Sequence, residues 1–302
     1  MSHLDRYKMS IRTWSAINIS EGRNEKVLKE IEDVLVPFEL EHKLVEPDVS
    51  YHRSVISLVG DLERIFEAIK AISPIILKSV NLNNHRGSHY RMGAIDVIPF
   101  VFENENEETV KRVFEWAKSF AEDVPVYFYG RLNPTRPTVG SIRKGGLESL
   151  LRRIEKGFSK PDLGGFPTSK SGVTAVGVRS PLAAFNIRVE NHPALPEIVV
   201  NMRDVQKGFP GLMSAVFPVN ETIVDLSFNL TNLEKTSLKE VYDYCVKALD
   251  EIDIKPIEST LVGLIARDEL LKGFKNQKIE EIENYFKFSH PLKGKVIDWR
   301  TL

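Results

Sequence analysis

The sequence predicts an α+β protein in two halves, on three observations. Short runs of alternating apolar and β-branched residues mark strands, and apolar residues at helical spacing fill the intervals between them. The order β-α-β-β-α-β is then spelled twice along the 302 residues. That order belongs to a split βαβ unit, the ferredoxin-like arrangement, in which two helices cover one face of a four-stranded antiparallel sheet. Two such subdomains, residues 1–179 and 180–302, with antiparallel or mixed sheets and a cleft between them, are the expectation.

In the first half, strands are expected at Ala16 to Ile19, Lys43 to Val45, Ser54 to Val59, Ile95 to Phe102 and Val124 to Tyr129. A helix over Asn24 to Phe38 gathers Val27, Leu28, Ile31, Val34 and Leu35 on one face. A second over Glu63 to Leu77 does the same with Ile65, Ile69 and Ile72, and a third over Glu107 to Ala121 with Val110, Val113, Phe114, Ala117 and Phe120. In the second half the expected strands are Ala183 to Val189, Leu212 to Val219, Thr222 to Leu230 and Leu261 to Ala266, with helices over Ala194 to Val205 and Leu238 to Leu249. The repeat is one of topology, not of residue identity. Between the halves, Lys160 to Arg179 is rich in glycine and small polar residues and reads as a loop or flexible tether. A backbone-lined edge of a ligand cleft is its other reading.

Composition narrows the function. With 41 basic and 42 acidic residues the net charge is −1, so nothing global favours nucleic acid or an anionic membrane as partner. The single cysteine, Cys245, falls in a helical run and reads as a small core residue, in keeping with a reducing, cytoplasmic setting. Met1 to Trp14 lacks the continuous apolar run of an export signal, and no stretch approaches the roughly 18 apolar residues of a membrane span.

Three polar clusters carry candidate chemistry. Asn83 to Asp96 (NNHRGSHYRMGAID) brings two histidines, two arginines, a tyrosine and an aspartate together just before a strand. His85 and His89 have the i, i+4 spacing of a helical metal pair, but Gly87 and Ser88 oppose a helix and no further acidic or cysteine ligand is near, so no metal is predicted. Arg86 and Arg91 suit bidentate binding of carboxylates. Glu46 to Arg53 (EPDVSYHR) joins two strand ends, where a carboxylate can orient an imidazole or merely form a turn. Asn18 to Asn24 (NISEGRN) runs from a strand into a helix; Ser20 or Asn24 can cap that helix, or its N-terminus can face an anion. The dinucleotide, Walker and serine-hydrolase glycine motifs are absent from the sequence.

Together these segments resemble the formiminotransferase family. NISEGRN resembles its N-F-S-E-G-K/R-N, RSVISLVG at Arg53 to Gly60 resembles a second family motif, and His85 to Phe100 resembles H-x-G-x-H-x-R-M-G-A-x-D-V-x-P-F. VPVYFYG, SIRKG at Ser141 to Gly145, PDLGG, AFNI and LVGL follow in the family's order. The resemblance implies two ferredoxin-like subdomains, a homodimer and a folate cleft between the subdomains. It implies that His89 is the catalytic acid/base residue and Glu46 its supporting acid. It places Gly164, Gly165, Ser171 and Gly172 on the folate-contacting segment, and makes Arg91, Arg53, Asn18 and Asp96 candidates for binding folate or donor.

The reaction implied is transfer of the formimino group of N-formiminoglutamate to tetrahydrofolate, the co-substrate. A histidine titrating near neutrality would move the proton from the attacking to the leaving nitrogen. Glu46 stands where the family has aspartate, His52 where it has asparagine, and Ser88 and Tyr90 where it commonly has Glu and Pro, changes that bear on the donor pocket. The sequence stops at Leu302, and a cyclodeaminase half is not expected. The rival readings are a formyl or formimino transferase with another donor, a non-catalytic folate-binding module, and a metal hydrolase.

Overall fold

The structure, a computed structural model, describes residues 10–299; the first nine residues of the N-terminal segment considered for export lie outside that range. The chain divides into two compact units, Met1–Arg179 and Ser180–Leu302. Both are α+β, with one mixed and one antiparallel main sheet.

The first unit begins with β1 (Arg12–Ile19), α1 (Glu25–Leu35), β2 (His42–Asp48), β3 (Arg53–Asp61), α2 (Leu62–Ser79) and β4 (Ile95–Phe102). Asn24 accepts a bond from the Val27 N–H and starts α1, and Asp61 does the same for α2 through Glu63. Helix α3 (Glu107–Phe120) opens on a capping box formed by Asn106 and Thr109. Then come β5 (Val126–Gly130), α4 (Gly140–Arg143), α5 (Gly146–Glu155) and β6 (Thr174–Val178). The sheet order is β2-β3-β1-β4-β6-β5. The first four strands are antiparallel neighbours, and β6 and β5 extend the sheet in parallel from β4.

One expectation fails here. Lys160 to Arg179 is not a tether, because its last residues form β6, an inner strand buried along its whole length. The glycine content that suggests a loop includes Gly177, whose missing Cβ makes room for the ring of Tyr129. Helices α4 and α5 are also unforeseen, since Gly140, Gly145 and Gly146 interrupt the periodicity there. They matter because they cover the second face of the parallel strands. Val126, Phe128 and Val176 join the large core with Ile31, Ile69 and Val113. The alternate residues Tyr127, Tyr129 and Ala175 pack instead with Ile142 and Leu150. Strands buried on both faces read as near-continuous apolar runs, as β4 does from Val97 to Phe102.

Strand β4 also carries a bulge. Asn18 pairs with Val97, but Ile19 pairs with Ile95, leaving Asp96 as an extra residue between them. Ile95 and Ile98 both reach the large core while Val97 faces the other cluster, so the inside-outside alternation slips by one residue at Asp96.

The second unit runs β7 (Ala183–Glu190), α6 (Leu195–Asn201), a 3-10 turn (Asp204–Gln206), β8 (Leu212–Pro218), β9 (Ile223–Leu230), α7 (Leu238–Asp250) and β10 (Glu258–Val262). Its sheet is antiparallel in the order β10-β7-β9-β8, the same permutation as β4-β1-β3-β2. The last expected strand is divided at Gly263 into β10 and β11 (Ile265–Ala266). After it come α8 (Arg267–Leu271), α9 (Ile279–Phe286) and β12 (Val296–Ile297), which pairs with β11 in parallel. Cys245 is buried in this unit's core, and burial pushes its thiol up to about 12, so it is an inert packing residue. Among the described residues no helix is long and apolar enough to cross a membrane.

Candidate active site

The three polar clusters of the sequence meet on the first unit's sheet. Glu46 on β2, Val55 on β3, Asn18 on β1 and Val97 on β4 form one row of cross-strand partners. Residues paired this way share a face, and Arg53, two residues before Val55, lies on that face too. The guanidinium of Arg53 donates to Asn18 Oδ1 through Nε and Nη2, at 3.0 and 2.6 Å, and to Asp96 Oδ2 through Nη1, at 2.7 Å.

Asp96 is the hub. Its Oδ2 also accepts from Arg143 Nη2 at 2.9 Å, and its Oδ1 accepts from the Met92 and Gly93 N–H groups at 2.8 and 3.2 Å. The carboxylate is wholly buried. Burial alone would raise its pKa, but Arg143, Arg53 and the Met92 N–H outweigh burial and hold it below the usual carboxylate range. Arg53 is pulled down to about 10, first by burial and then by Arg143 against the attraction of Asp96, and so stays charged at neutral pH.

His89 lies against this group. Its Nδ1 is 2.7 Å from the Tyr90 carbonyl and 3.3 Å from Arg53 Nη1. A carbonyl can only accept, so the short contact assigns the proton to Nδ1 and the ring's lone pair to Nε2. Tyr51 packs on the ring at 5.9 Å between centroids. The sequence alone suggests titration near neutrality; the structure differs. Burial, then Arg53 and Arg143, lower the imidazole's pKa well below its ordinary value, and Asp96 and the Tyr90 carbonyl oppose them only in part. At neutral pH His89 is an uncharged base.

The loop carrying His89 is fixed from below. Ala94 N–H donates to the Ser171 carbonyl at 2.8 Å, and Val173 N–H to the Met92 carbonyl at 2.9 Å. The approach is so close that a Cβ on Gly93 would sit 1.9 Å from the Val173 carbonyl oxygen, and one on Gly172, which has φ +68°, 2.1 Å from that of Met92. Ser171 and Gly172 therefore touch the site through backbone. Gly164 lies against Ala121 and Pro125, and Gly165 has open space about it.

Other candidates hold different partners. Arg91 is bound to Glu148 at 2.9 Å and to the Leu82 carbonyl at 3.1 Å, which ties the loop to α5. Glu46 keeps its place in the row with Asn18, while the carboxylate on the Arg53 side of His89 is that of Asp96. In NISEGRN the expected caps are half right. Asn24 caps α1, whereas Ser20 bonds the Gly93 carbonyl, and the N–H groups of Gly22, Arg23 and Asn24 all go to the Glu21 carboxylate. That helix start thus carries its own anion.

Beside Glu21 stand two stacked histidines, His52 and His85, with ring centroids 4.2 Å apart. His52 Nε2 is 3.3 Å from Glu21, and His85 Nε2 is 2.8 Å from the His52 carbonyl. Burial lowers the His85 pKa to about 4, against the ordinary 6.5. The unfolded chain therefore binds a proton near 6.5 that the folded one refuses until about pH 4. Stability is fully present above 6.5 and falls as pH drops through that window, by about 3 kcal/mol for His85. Denaturant unfolding at pH 7 and 4.5 should show this loss, and His85→Phe, which keeps the stacked ring, should remove that part of it. Among the described residues no group of three His, Cys, Asp or Glu is placed to hold a metal ion.

Arg143 is the member of the site that the sequence does not assign. Its signal is the SIRKG segment, set among the glycines that conceal α4.

Comparison with known proteins identifies the family. A family model described as the formiminotransferase domain, N-terminal subdomain, matches residues 13–179. A glutamate formimidoyltransferase of Thermoplasma acidophilum is 32% identical over 270 residues, covering 84% of this chain and 88% of that protein. One of Streptococcus pyogenes serotype M1 is 30% identical, covering 84% and 89%. The formimidoyltransferase-cyclodeaminase of Rattus norvegicus is 30% identical over 84% of this chain, which spans half the length of the rat protein. By the extent of these matches the chain belongs to the formiminotransferase family, a family of transferases.

Proposed function

We propose that this protein transfers the formimino group of N-formiminoglutamate to tetrahydrofolate, giving 5-formiminotetrahydrofolate and L-glutamate, with His89 as general acid/base. The observation that carries the reading is an imidazole whose Nδ1 lies 2.7 Å from a backbone carbonyl, beside a guanidinium-carboxylate cluster. Nitrogen 5 of the folate attacks the formimino carbon and forms the new C–N bond of a tetrahedral intermediate. His89 Nε2 takes the proton that nitrogen 5 loses and returns it to the glutamate nitrogen, whose C–N bond then breaks. Asn18, Arg53 and Asp96 set the position and charge of the ring, and Glu46 lies on the same sheet face as the supporting acid. The glycine-rich run from Gly164 to Gly172 contacts the folate in this reading.

Subdomains 1–179 and 180–302 are read as ferredoxin-like, supported by their shared strand permutation, and the protein as a cytoplasmic homodimer. Donor identity rests on the names of the relatives. Tyr90, which stands where the family commonly has proline, is largely exposed and is free to meet a different donor. The test offers purified protein tetrahydrofolate with formiminoglutamate, formylglutamate or formiminoglycine. Formiminoglutamate should give the absorbance of 5-formiminotetrahydrofolate with one glutamate released per product. Turnover with another donor alone would replace the glutamate assignment, and folate binding without turnover of any donor would leave a binding module.

A further inference from the structure

The cluster behind His89 is out of balance in charge. Two guanidiniums, Arg53 from β3 and Arg143 from α4, share one carboxylate oxygen of Asp96, at 2.7 and 2.9 Å. Both arginine side chains are largely buried, 11% and 19% exposed, so water screens the excess positive charge only weakly. Among the described residues, the buried Arg143 Nε–H has no hydrogen-bond partner. A buried donor left unpaired costs its desolvation, which an incoming acceptor would offset. Among the groups acting on the His89 ring are Arg53, Arg143, Asp96 and the Tyr90 carbonyl, with Tyr51 against its face.

The proposed reaction asks two things of this ring that conflict. It must be unprotonated in the resting protein, yet hold a proton while the tetrahedral intermediate lasts. A base is most effective when its proton affinity matches the working pH, and an uncompensated cation nearby opposes that.

Resting on the reading of His89 as the base, we propose that Arg143 seats a carboxylate of the amino-acid donor and is a positioning residue for His89. The carboxylate cancels the cluster's excess charge, so the ring can hold a proton only when the donor is bound. The free Arg143 Nε–H supplies a hydrogen bond, and the guanidinium keeps its bond to Asp96 throughout. Protonation of His89 is thereby coupled to occupancy, and an empty site does not trap a proton.

The test follows the His89 ring by nitrogen and carbon NMR through a pH titration. In the free wild-type protein the ring should titrate well below the ordinary histidine value of 6.5. Formiminoglutamate, added without tetrahydrofolate so that no turnover occurs, should raise the midpoint by at least about one pH unit. Arg143→Met should raise the midpoint in the free protein by a similar amount, remove the further effect of formiminoglutamate, and raise the donor KM more than tenfold. Tetrahydrofolate affinity should stay within a few-fold. Arg143→Lys, which keeps the charge, should leave the ring neutral as in wild type.

A donor that binds without moving His89, or an Arg143→Met ring that titrates as in wild type, overturns the proposal. The wild-type arm decides the matter even should Arg143→Met not fold. The two readings fail separately. An Arg143→Met shift in a protein that turns over no donor keeps the charge assignment and sinks the transferase reading. An unmoved ring in an active enzyme does the opposite.

Discussion

His89→Ala lowers kcat by about 10²- to 10⁴-fold, the usual contribution of a positioned acid/base group, while tetrahydrofolate affinity changes by only a few-fold. The reasoning is local. Alanine removes the nitrogen proposed to shuttle the proton but leaves intact the bonds of Asp96 to Arg53, Arg143, Met92 and Gly93, which hold the surrounding walls. A uniform loss of binding would raise KM and spare kcat, so the division between the two constants separates a catalytic from a structural role. The pH profile adds a sign. Because the resting imidazole lies well below its ordinary value, kcat/KM should persist at pH values below 6.5, where an unperturbed histidine would already be protonated. An acid limb centred at or above 6.5, or a His89→Ala enzyme with wild-type kcat, would remove His89 from the mechanism.

Asp96→Ala destabilises the first unit by about 3–5 kcal/mol, the range for removing one partner of a buried ion pair. It leaves Arg53 and Arg143 facing each other with no anion between them, and orphans the N–H groups of Met92 and Gly93. Asp96→Asn keeps an acceptor for those N–H groups and removes only the charge, so its cost should be smaller. Denaturant midpoints of the two variants measure the difference. The acid's pKa is lowered in the fold, so its stabilising effect is complete above the ordinary aspartate value of 3.8. It is lost as pH falls from there through the folded value. Equal midpoints for wild type and Asp96→Ala would mean that the two arginines find other partners.

Much of this architecture was legible because it follows from period. The strands from Arg53 and Ile95 alternate or run apolar, the helices at α1, α2 and α3 stack their apolar residues every three or four positions, and the cap at Asn24 is a side chain of the right kind in the right place. β6 was hidden because its five residues follow a glycine-rich loop and its own Gly177 yields to Tyr129, a partner 48 residues earlier in the chain. Site membership was legible where residues sit in a dense polar segment, as His89 and Asp96 do. It was not legible for Arg143, which reaches Asp96 across 47 residues by way of a four-residue helix. Nor could the sequence show that Arg91 is held by Glu148, that Glu21 fills its own helix start, or that His89 rests uncharged. Each depends on distances that separation along the chain does not encode.

The extra residue in β4 gives the site an unusual dependence on length. Because alternation slips by one at Asp96, this acid faces Arg53 through the number of residues between Gly93 and Val97 as much as through its own chemistry. Deleting Ile95 would restore regular pairing, set Asp96 opposite Ile19 and turn its carboxylate toward Ile17 and Ile98, while every side chain of the site kept its identity. A transplant of these residues onto another sheet would therefore have to copy the miscount along with the amino acids, since a perfectly regular strand cannot present them.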